Sequence, residues 1–246
     1  MTKFTSLLLL LALLYSCTPK EAQNTETAET EEAEVEASEL IAVCVWDGVS
    51  VRETPGPKKK YITALSVGES LTYLGEDTLI DERTYSKVKL NDEKTGWTMK
   101  DFLVLEATPA VVLRETSIYS RPDLLTKKDE SFAKMDIVAS TETEGDWIKI
   151  RGKRTGGKWM DDGWIKKENL SYDQIDIATA KFAQEALSLE DKESKIGSLK
   201  EIIENTDLNG SKFIAGLVVE LTKLTEEDEV MEEDIPETDS LAMDEE

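Results

Sequence analysis

Between residues 41 and 170 apolar and polar positions follow one another in short runs, broken by Gly, Pro and Asp. The runs at 41–46, 49–53, 61–66, 70–75, 84–90 and 94–98 predict strands, because each is short, rich in β-branched or aromatic residues and bounded by turn formers. The period of two is clearest in Tyr85-Ser86-Lys87-Val88-Lys89-Leu90, where Ser86, Val88 and Leu90 share one face and Tyr85 shares the other with the lysines. Asn91-Asp92-Glu93-Lys94 then turns the chain into Thr95-Gly96-Trp97. Strands this short at this spacing predict a small barrel.

A second run of the same kind starts at 111. Trp147-Ile148-Lys149-Ile150 corresponds to Tyr85-Ser86-Lys87-Val88, and Asp162-Gly163-Trp164-Ile165 to Thr95-Gly96-Trp97-Thr98, at offsets of 62 and 67 residues. One unit of about 65 residues therefore occurs twice. The change of offset marks a longer hairpin at 152–161, rich in Gly and Lys/Arg. After 171 the period changes to that of a helix. Ser171 with Gln174 reads as a capping box. Ile175, Ala178, Phe182, Ala186 and Leu189 follow at helical spacing; Ile196, Leu199 and Ile203 predict a second helix. Ile214, Leu217, Val218, Leu221 and Leu224 predict a third, capped by Ser211.

Val49-Ser50-Val51-Arg52, Pro55-Gly56, Val67-Gly68-Glu69, Tyr73-Leu74-Gly75, Tyr85-Ser86-Lys87-Val88, Gly96-Trp97 and Phe102-Leu103 together resemble a bacterial SH3 domain over roughly 45–106. The second copy carries the counterparts Ser117-Ile118-Tyr119-Ser120-Arg121-Pro122, Asp136-Ile137-Val138, Trp147-Ile148-Lys149-Ile150, Gly163-Trp164 and Asn169-Leu170, without the glycine after the proline. The resemblance implies a mainly β chain: two tandem small SH3-like β-barrels, at 41–107 and 108–171, followed by a short helical region at 172–225. It is specific for fold and only weakly specific for function. Small barrels of this type present aromatics along a shallow groove, which makes Tyr61, Trp97, Tyr119, Trp147 and Trp159 the ligand-binding candidates. Trp97 and Trp164, each following a glycine, equally suit packing against a barrel core. Trp159 lies in the polar part of the long hairpin, where exposure suits a contact residue.

Charge divides the chain differently. The 246 residues carry a net charge of −23, but residues 18–40 hold eight Glu against one Lys, and residues 226–246 hold twelve Asp/Glu with no Lys or Arg. The stretch 41–225 is only −5. Both flanks have too few large apolar residues to offset ordering, so 17–40 reads as an acidic tether and 226–246 as a disordered acidic tail. An acidic chain lacks the basic footprint of a nucleic-acid binder. Its local basic clusters, Lys58-Lys59-Lys60 and residues 151–158, suit a solvated loop or an acidic ligand such as peptide or glycan-peptide carboxylates.

The first seventeen residues, MTKFTSLLLLLALLYSC, hold Lys3 and an apolar run at 7–14. That run is too short to span a bilayer, which takes roughly 18 or more apolar residues, and has the size of a signal-peptide core. Leu14-Tyr15-Ser16-Cys17 resembles a bacterial lipobox, with Leu three places before the cysteine and a small residue directly before it. The resemblance implies removal of residues 1–16 and diacylglycerol on Cys17. Two acyl chains suffice for stable anchoring at about 0.8 kcal/mol per buried methylene. Thr18 after the cysteine, by resemblance to a sorting habit of Gram-negative bacteria, points to the outer membrane. The membrane, through this anchor, is then one partner. Cys44, in a predicted strand, reads as a buried thiol.

Composition also limits chemistry. With no histidine there is no Ser-His-Asp or Cys-His triad and no histidine ligand for zinc. Asn205-x-Asp207-x-Asn209-Gly210 starts like a calcium loop, but the twelfth position, which needs a bidentate Glu, is Gly216. No nucleophile elbow or phosphate loop is present. The expectation is a non-enzymatic envelope lipoprotein with no cofactor and no metal. Its barrels would bind peptidoglycan peptides or other envelope material. The alternatives are an assembly subunit docking on an envelope protein through its helices and acidic tail, and a surface adhesin. Cys17→Ala is predicted to leave an unprocessed or soluble protein, read by detergent-phase partitioning; unchanged partitioning of the variant removes the anchor.

Overall fold

In the computed structural model the described residues are 40–232, with side chains to 226. Cys17, the signal peptide, most of the tether and most of the acidic tail lie outside them. Among the described residues the chain is mainly β, with fourteen strands in two antiparallel sheets and three α-helices after them.

The first sheet contains β1 (Leu40–Cys44), β2 (Val49–Arg52), β3 (Tyr61–Leu65), β4 (Ser70–Ile80), β5 (Arg83–Lys89), β6 (Thr95–Met99) and β7 (Leu103–Leu105) in the order β3-β2-β6-β5-β4-β1-β7. The second contains β8 (Thr108–Val112), β9 (Thr116–Tyr119), β10 (Lys127–Phe132), β11 (Ile137–Glu144), β12 (Trp147–Lys153), β13 (Met160–Lys166) and β14 (Leu170–Ser171) in the order β10-β9-β13-β12-β11-β8-β14. The two orders are the same once the numbering is shifted by seven. The repeat read from spacing is thus a repeat of topology.

Three details explain the sequence signals. The Gly-Trp pair recurs because side chains of the paired neighbours β2 and β9 lie over the glycines of β6 and β13. A Cβ on Gly96 would lie 2.5 Å from Val51 Cγ1, and one on Gly163 would collide with Ile118. The strand expected to stop at 75 instead continues as β4 to Ile80. Gly75, at φ +77°, sits in a bulge where the β4–β5 register shifts between Tyr73 and Asp77, so the strand bends and goes on. The offset between repeats is 67 at Glu69 and Asp136, 62 at Tyr85 and Trp147, and 67 again at Gly96 and Gly163. The extra length falls on the β4–β5 hairpin in the first repeat and on the β12–β13 hairpin in the second.

Val67-Gly68-Glu69 and Lys134-Met135-Asp136 make the same turn. Gly68 and Met135 stand at φ +79° and +74°, and their N–H groups donate to the carbonyls of Cys44 and Val112 at 2.8 Å. The left-handed region costs a side-chain-bearing residue about 1–2 kcal/mol. Met135 is buried in the helical core, and burying such a side chain contributes about 1.5–3 kcal/mol, so packing outweighs the backbone strain.

Each sheet encloses its own core, Ala42, Cys44, Val51, Leu65 and Val88 in the first and Ala110, Val112, Ile118, Phe132 and Ile150 in the second. The alternate residues of β1, β8 and β11 are buried too. Val43 and Val45 meet Ala107 and Ala139 with Val104 and Met160 beside them; Val111 and Ile137 enter a core with the helices. These strands therefore read as unbroken apolar runs, as strands covered on both faces do. Cys44 is fully buried and its thiol donates to the Trp46 carbonyl at 3.1 Å; burial raises its pKa to about 11.

The helices are α1 (Gln174–Leu187), α2 (Lys192–Glu204) and α3 (Ile214–Glu232). The capping box does not form. Asp173 occupies the cap position of α1, and the Ser171 hydroxyl donates instead to Asp176 Oδ2 at 2.5 Å. The buried face of α1 keeps the expected Ala186, with Ala178 beside it, but is otherwise turned from the one expected. Ile177, Ala180, Ala183 and Ala186 are buried, whereas Ile175, Phe182 and Leu189 are 42, 44 and 37% exposed. The inward face is an Ile-Ala-Ala-Ala stripe packed against Val111 and Ile137. Asn205 to Gly210 form a turn in which Asn205 Oδ1 accepts the Asp207 N–H at 2.9 Å.

Asp176 fastens α1 to α3. Its carboxylate accepts Ser171 Oγ, Ser211 Oγ at 3.0 Å, the Lys212 N–H at 2.8 Å and Lys212 Nζ at 2.7 Å. Burial alone would push this carboxyl up, but the Lys212 ammonium and the surrounding donors outweigh it and hold it below the usual range. Because the folded pKa lies below the unfolded one, this stabilisation is present at neutral pH and disappears as pH falls through the folded value. Asp176→Ala is predicted to cost about 2–4 kcal/mol at neutral pH in denaturant unfolding, the penalty shrinking below about pH 4.

Candidate functional site

A hollow of ≈ 680 Å³ among the described residues lies where the two repeats meet α1. The first repeat contributes Val45, Trp46, Asp47 and Val67, the second residues 133–137 and 153–157, and α1 Gln184, Leu187 and Ser188. Local chemistry positions each wall. After β1 the Val45 N–H donates to the Phe102 carbonyl at 2.9 Å, which ends pairing with β4 and turns the chain. Trp46 then stands half-buried with its ring 5.6 Å from that of Phe102. Asp47 accepts the Val67 N–H at 3.3 Å and lies 3.8 Å from Lys181 on α1. Gln184 on the same helix donates to the Met135 carbonyl at 3.0 Å.

The opposite wall is the long hairpin of the second repeat. Lys153 and Met160 form its last strand pair, and Lys153 Nζ lies 4.4 Å above the Trp46 ring. Such a contact is worth about 0.5–1 kcal/mol at an exposed site and spans the two repeats. Arg154 pairs with Asp161. Asp136 anchors the hairpin. Its Oδ1 accepts the Thr155 N–H at 2.9 Å and the Thr155 hydroxyl at 2.7 Å, and its Oδ2 accepts the Ala133 N–H at 2.7 Å. Asp136 is 1% exposed, and this burial pushes its carboxyl up despite those donors and nearby Arg154.

A second cleft of ≈ 410 Å³ belongs to the first repeat alone. Trp46, Asp47, Arg52, Lys58, Arg83, Tyr85, Met99 and Phe102 are among its walls. Trp46 and Asp47 line both clefts. A third hollow of ≈ 430 Å³ runs between α1 and α2, with Phe182, Leu189, Ile202 and Leu208 around it.

The sequence candidates fall elsewhere. Tyr119 and Trp147 come together on the second sheet, rings 4.8 Å apart and edge-to-face, with Lys166 Nζ 3.9 Å from the Trp147 ring. Trp147 is 8% exposed, so little of this pair is open to a ligand. Trp97 is half-buried and pairs with Arg52 and Lys87 across the sheet. Tyr61 is 56% exposed on β3, at the end of the strand order, and Trp159 is 80% exposed on the long hairpin. None of the five lines either cleft at Trp46. The basic clusters reach both: residues 153 and 154 the junction cleft, Lys58 the other. Trp46 was the residue sequence reasoning passed over. Its signal was the aromatic at the end of an unbroken apolar run, directly before an Asp-Gly turn. The clefts supply an aromatic face, ammonium and guanidinium charges and hydroxyl groups, which are the parts of a site that holds an anionic ligand.

No family model and no curated protein matches the chain. Ten chains of solved structures do match. Two are NlpC2 and NlpC1 from Trichomonas vaginalis, at 16% and 15% identity, covering 67% and 62% of this chain, each with a TM-score of 0.24. This chain covers 56% and 55% of those chains, little more than half their length. A likeness at that score identifies neither fold nor activity.

Thr155→Val removes a hydroxyl that stabilises ionised Asp136 more than its neutral form. The predicted loss is about 1–2 kcal/mol. Asp136 is charged more fully as pH rises through its raised folded pKa, so the loss is predicted to be larger at pH 8 than at pH 4. Denaturant unfolding at the two pH values checks the sign, and amide exchange across 152–161 checks the place.

Proposed function

We propose that this protein is a non-catalytic lipoprotein of the bacterial cell envelope, held by diacylglycerol on Cys17 to the outer membrane. Two SH3-like barrels, spanning 41–107 and 108–171, bind envelope material, with the peptides of peptidoglycan as the first ligand. The barrel reading draws support from seven strands in the same order in both repeats and from the recurring Gly-Trp pairs. The binding reading draws its main support from one observation. The ≈ 680 Å³ cleft at the junction joins the Trp46 ring to Lys134 and Lys153. Peptidoglycan peptides carry carboxylates, which this charge complements.

The half-exposed Ile175, Phe182 and Leu189 beside the α1–α2 hollow favour a second reading, an assembly subunit that docks on another envelope protein through its helices.

Full-length protein is expected to co-sediment with purified peptidoglycan. Trp46→Ala is expected to lower apparent affinity at least tenfold, the scale of a buried aromatic anchor worth about 1.4 kcal/mol or more. Thermal melting of the variant separates lost binding from lost folding. No sedimentation, together with one envelope protein cross-linked through 173–246, transfers the function to the assembly reading.

A further inference from the structure

The two clefts that share Trp46 have volumes of ≈ 680 and ≈ 410 Å³. Each alone has the size of a small-ligand site, about 300–1,000 Å³, and the two in series are more than one small molecule fills. Their common walls are Trp46 and Asp47. The junction cleft also carries two carboxylates: Asp47, which lies 3.8 Å from Lys181, and Asp136, whose oxygens accept the Ala133 and Thr155 N–H groups.

The cations at the two clefts differ from most of their neighbours in their partners. Lys60, Lys87, Lys94, Lys100, Lys149 and Lys167 each face a carboxylate. Lys134 and Lys153 in the junction cleft do not: one lies over the Phe213 ring and the other over Trp46. Arg52, Lys58 and Arg83 in the first-repeat cleft have no carboxylate within ion-pair distance among the described residues, and Arg52 Nη1 donates only to the Lys59 carbonyl. Arg154 is excluded from this set because Asp161 neutralises it. Five cations with no ion pair among the described residues thus line two clefts that share Trp46, with the Phe102 ring beside it.

We propose that the two clefts are one groove, and that its ligand is an extended acidic peptide laid across Trp46, its carboxylates meeting Lys134 and Lys153 at one end and Arg52, Lys58 and Arg83 at the other. This deepens the binding reading above and rests on it for the choice of cleft. The peptide bridges the repeats, so both ends act on one ligand and gain from being linked.

The test uses full-length protein with a hexaglutamate and a triglutamate peptide in titration calorimetry. The expected result is one hexaglutamate per protein, bound at least tenfold more tightly than triglutamate. Lys153→Ala and Arg83→Ala, both at exposed positions that leave the cores intact, are each expected to weaken hexaglutamate about fivefold or more. Raising salt from about 0.05 to about 0.5 M is expected to weaken it further. Two hexaglutamates per protein, no effect of Arg83→Ala, insensitivity to salt, or equal binding of hexalysine would each overturn the single groove. Absence of acidic-peptide binding beside intact peptidoglycan sedimentation overturns this proposal and leaves the previous one standing. Peptide binding without sedimentation does the reverse.

Discussion

Val43 and Val45 hold the architecture together because they occupy the outer face of a strand whose inner face is already committed to a core. Ala42 and Cys44 point into the first repeat. The two valines must therefore be covered by something else, and Ala107, Ala139 and Met160 supply that cover. Val111 and Ile137 face the same requirement, which α1 meets through Ile177 and Ala180. Leaving four such side chains in water would forfeit about 1.5–3 kcal/mol each. The seam that buries them fixes the repeats beside each other, and the clefts at Trp46 are what remains open above it.

Polar ties then set the finer geometry. Asp176 collects donors from the end of β14 and the start of α3, and Asp136 collects them from the β10–β11 turn and the long hairpin. The pKa values of the two carboxyls are shifted in opposite directions. Lys212 draws one down, and burial pushes the other up. Acid therefore loosens the helical end while it relieves the hairpin end, so the two halves of the molecule do not respond to pH as one.

Much of the fold was legible in the residues themselves. Strand positions followed from period and turn formers, and the repeat from Tyr85, Gly96 and their counterparts. What the pattern could not give was which face of an element would be covered. In α1 the larger residues Ile175 and Phe182 marked the inward face by hydrophobicity alone, yet Ile177 and the alanines at 180, 183 and 186 are the ones buried. The capping box failed for a similar reason: Ser171 had a better partner in Asp176, which becomes a neighbour only after α1 has docked. The candidate aromatics were chosen by their place in each repeat, whereas the clefts arise between elements distant in sequence. Trp46 and Lys153 meet across more than a hundred residues, and no local pattern reports that.

The unequal hairpins have a last consequence. Because the second repeat carries its added length on β12–β13, only that repeat can reach over Trp46 of the first. The repeats share a plan but are not interchangeable parts. A permuted chain with their order reversed would keep both sheet interiors and lose the roof of the cleft, so the arrangement has a direction, as a lock and its keyplate do.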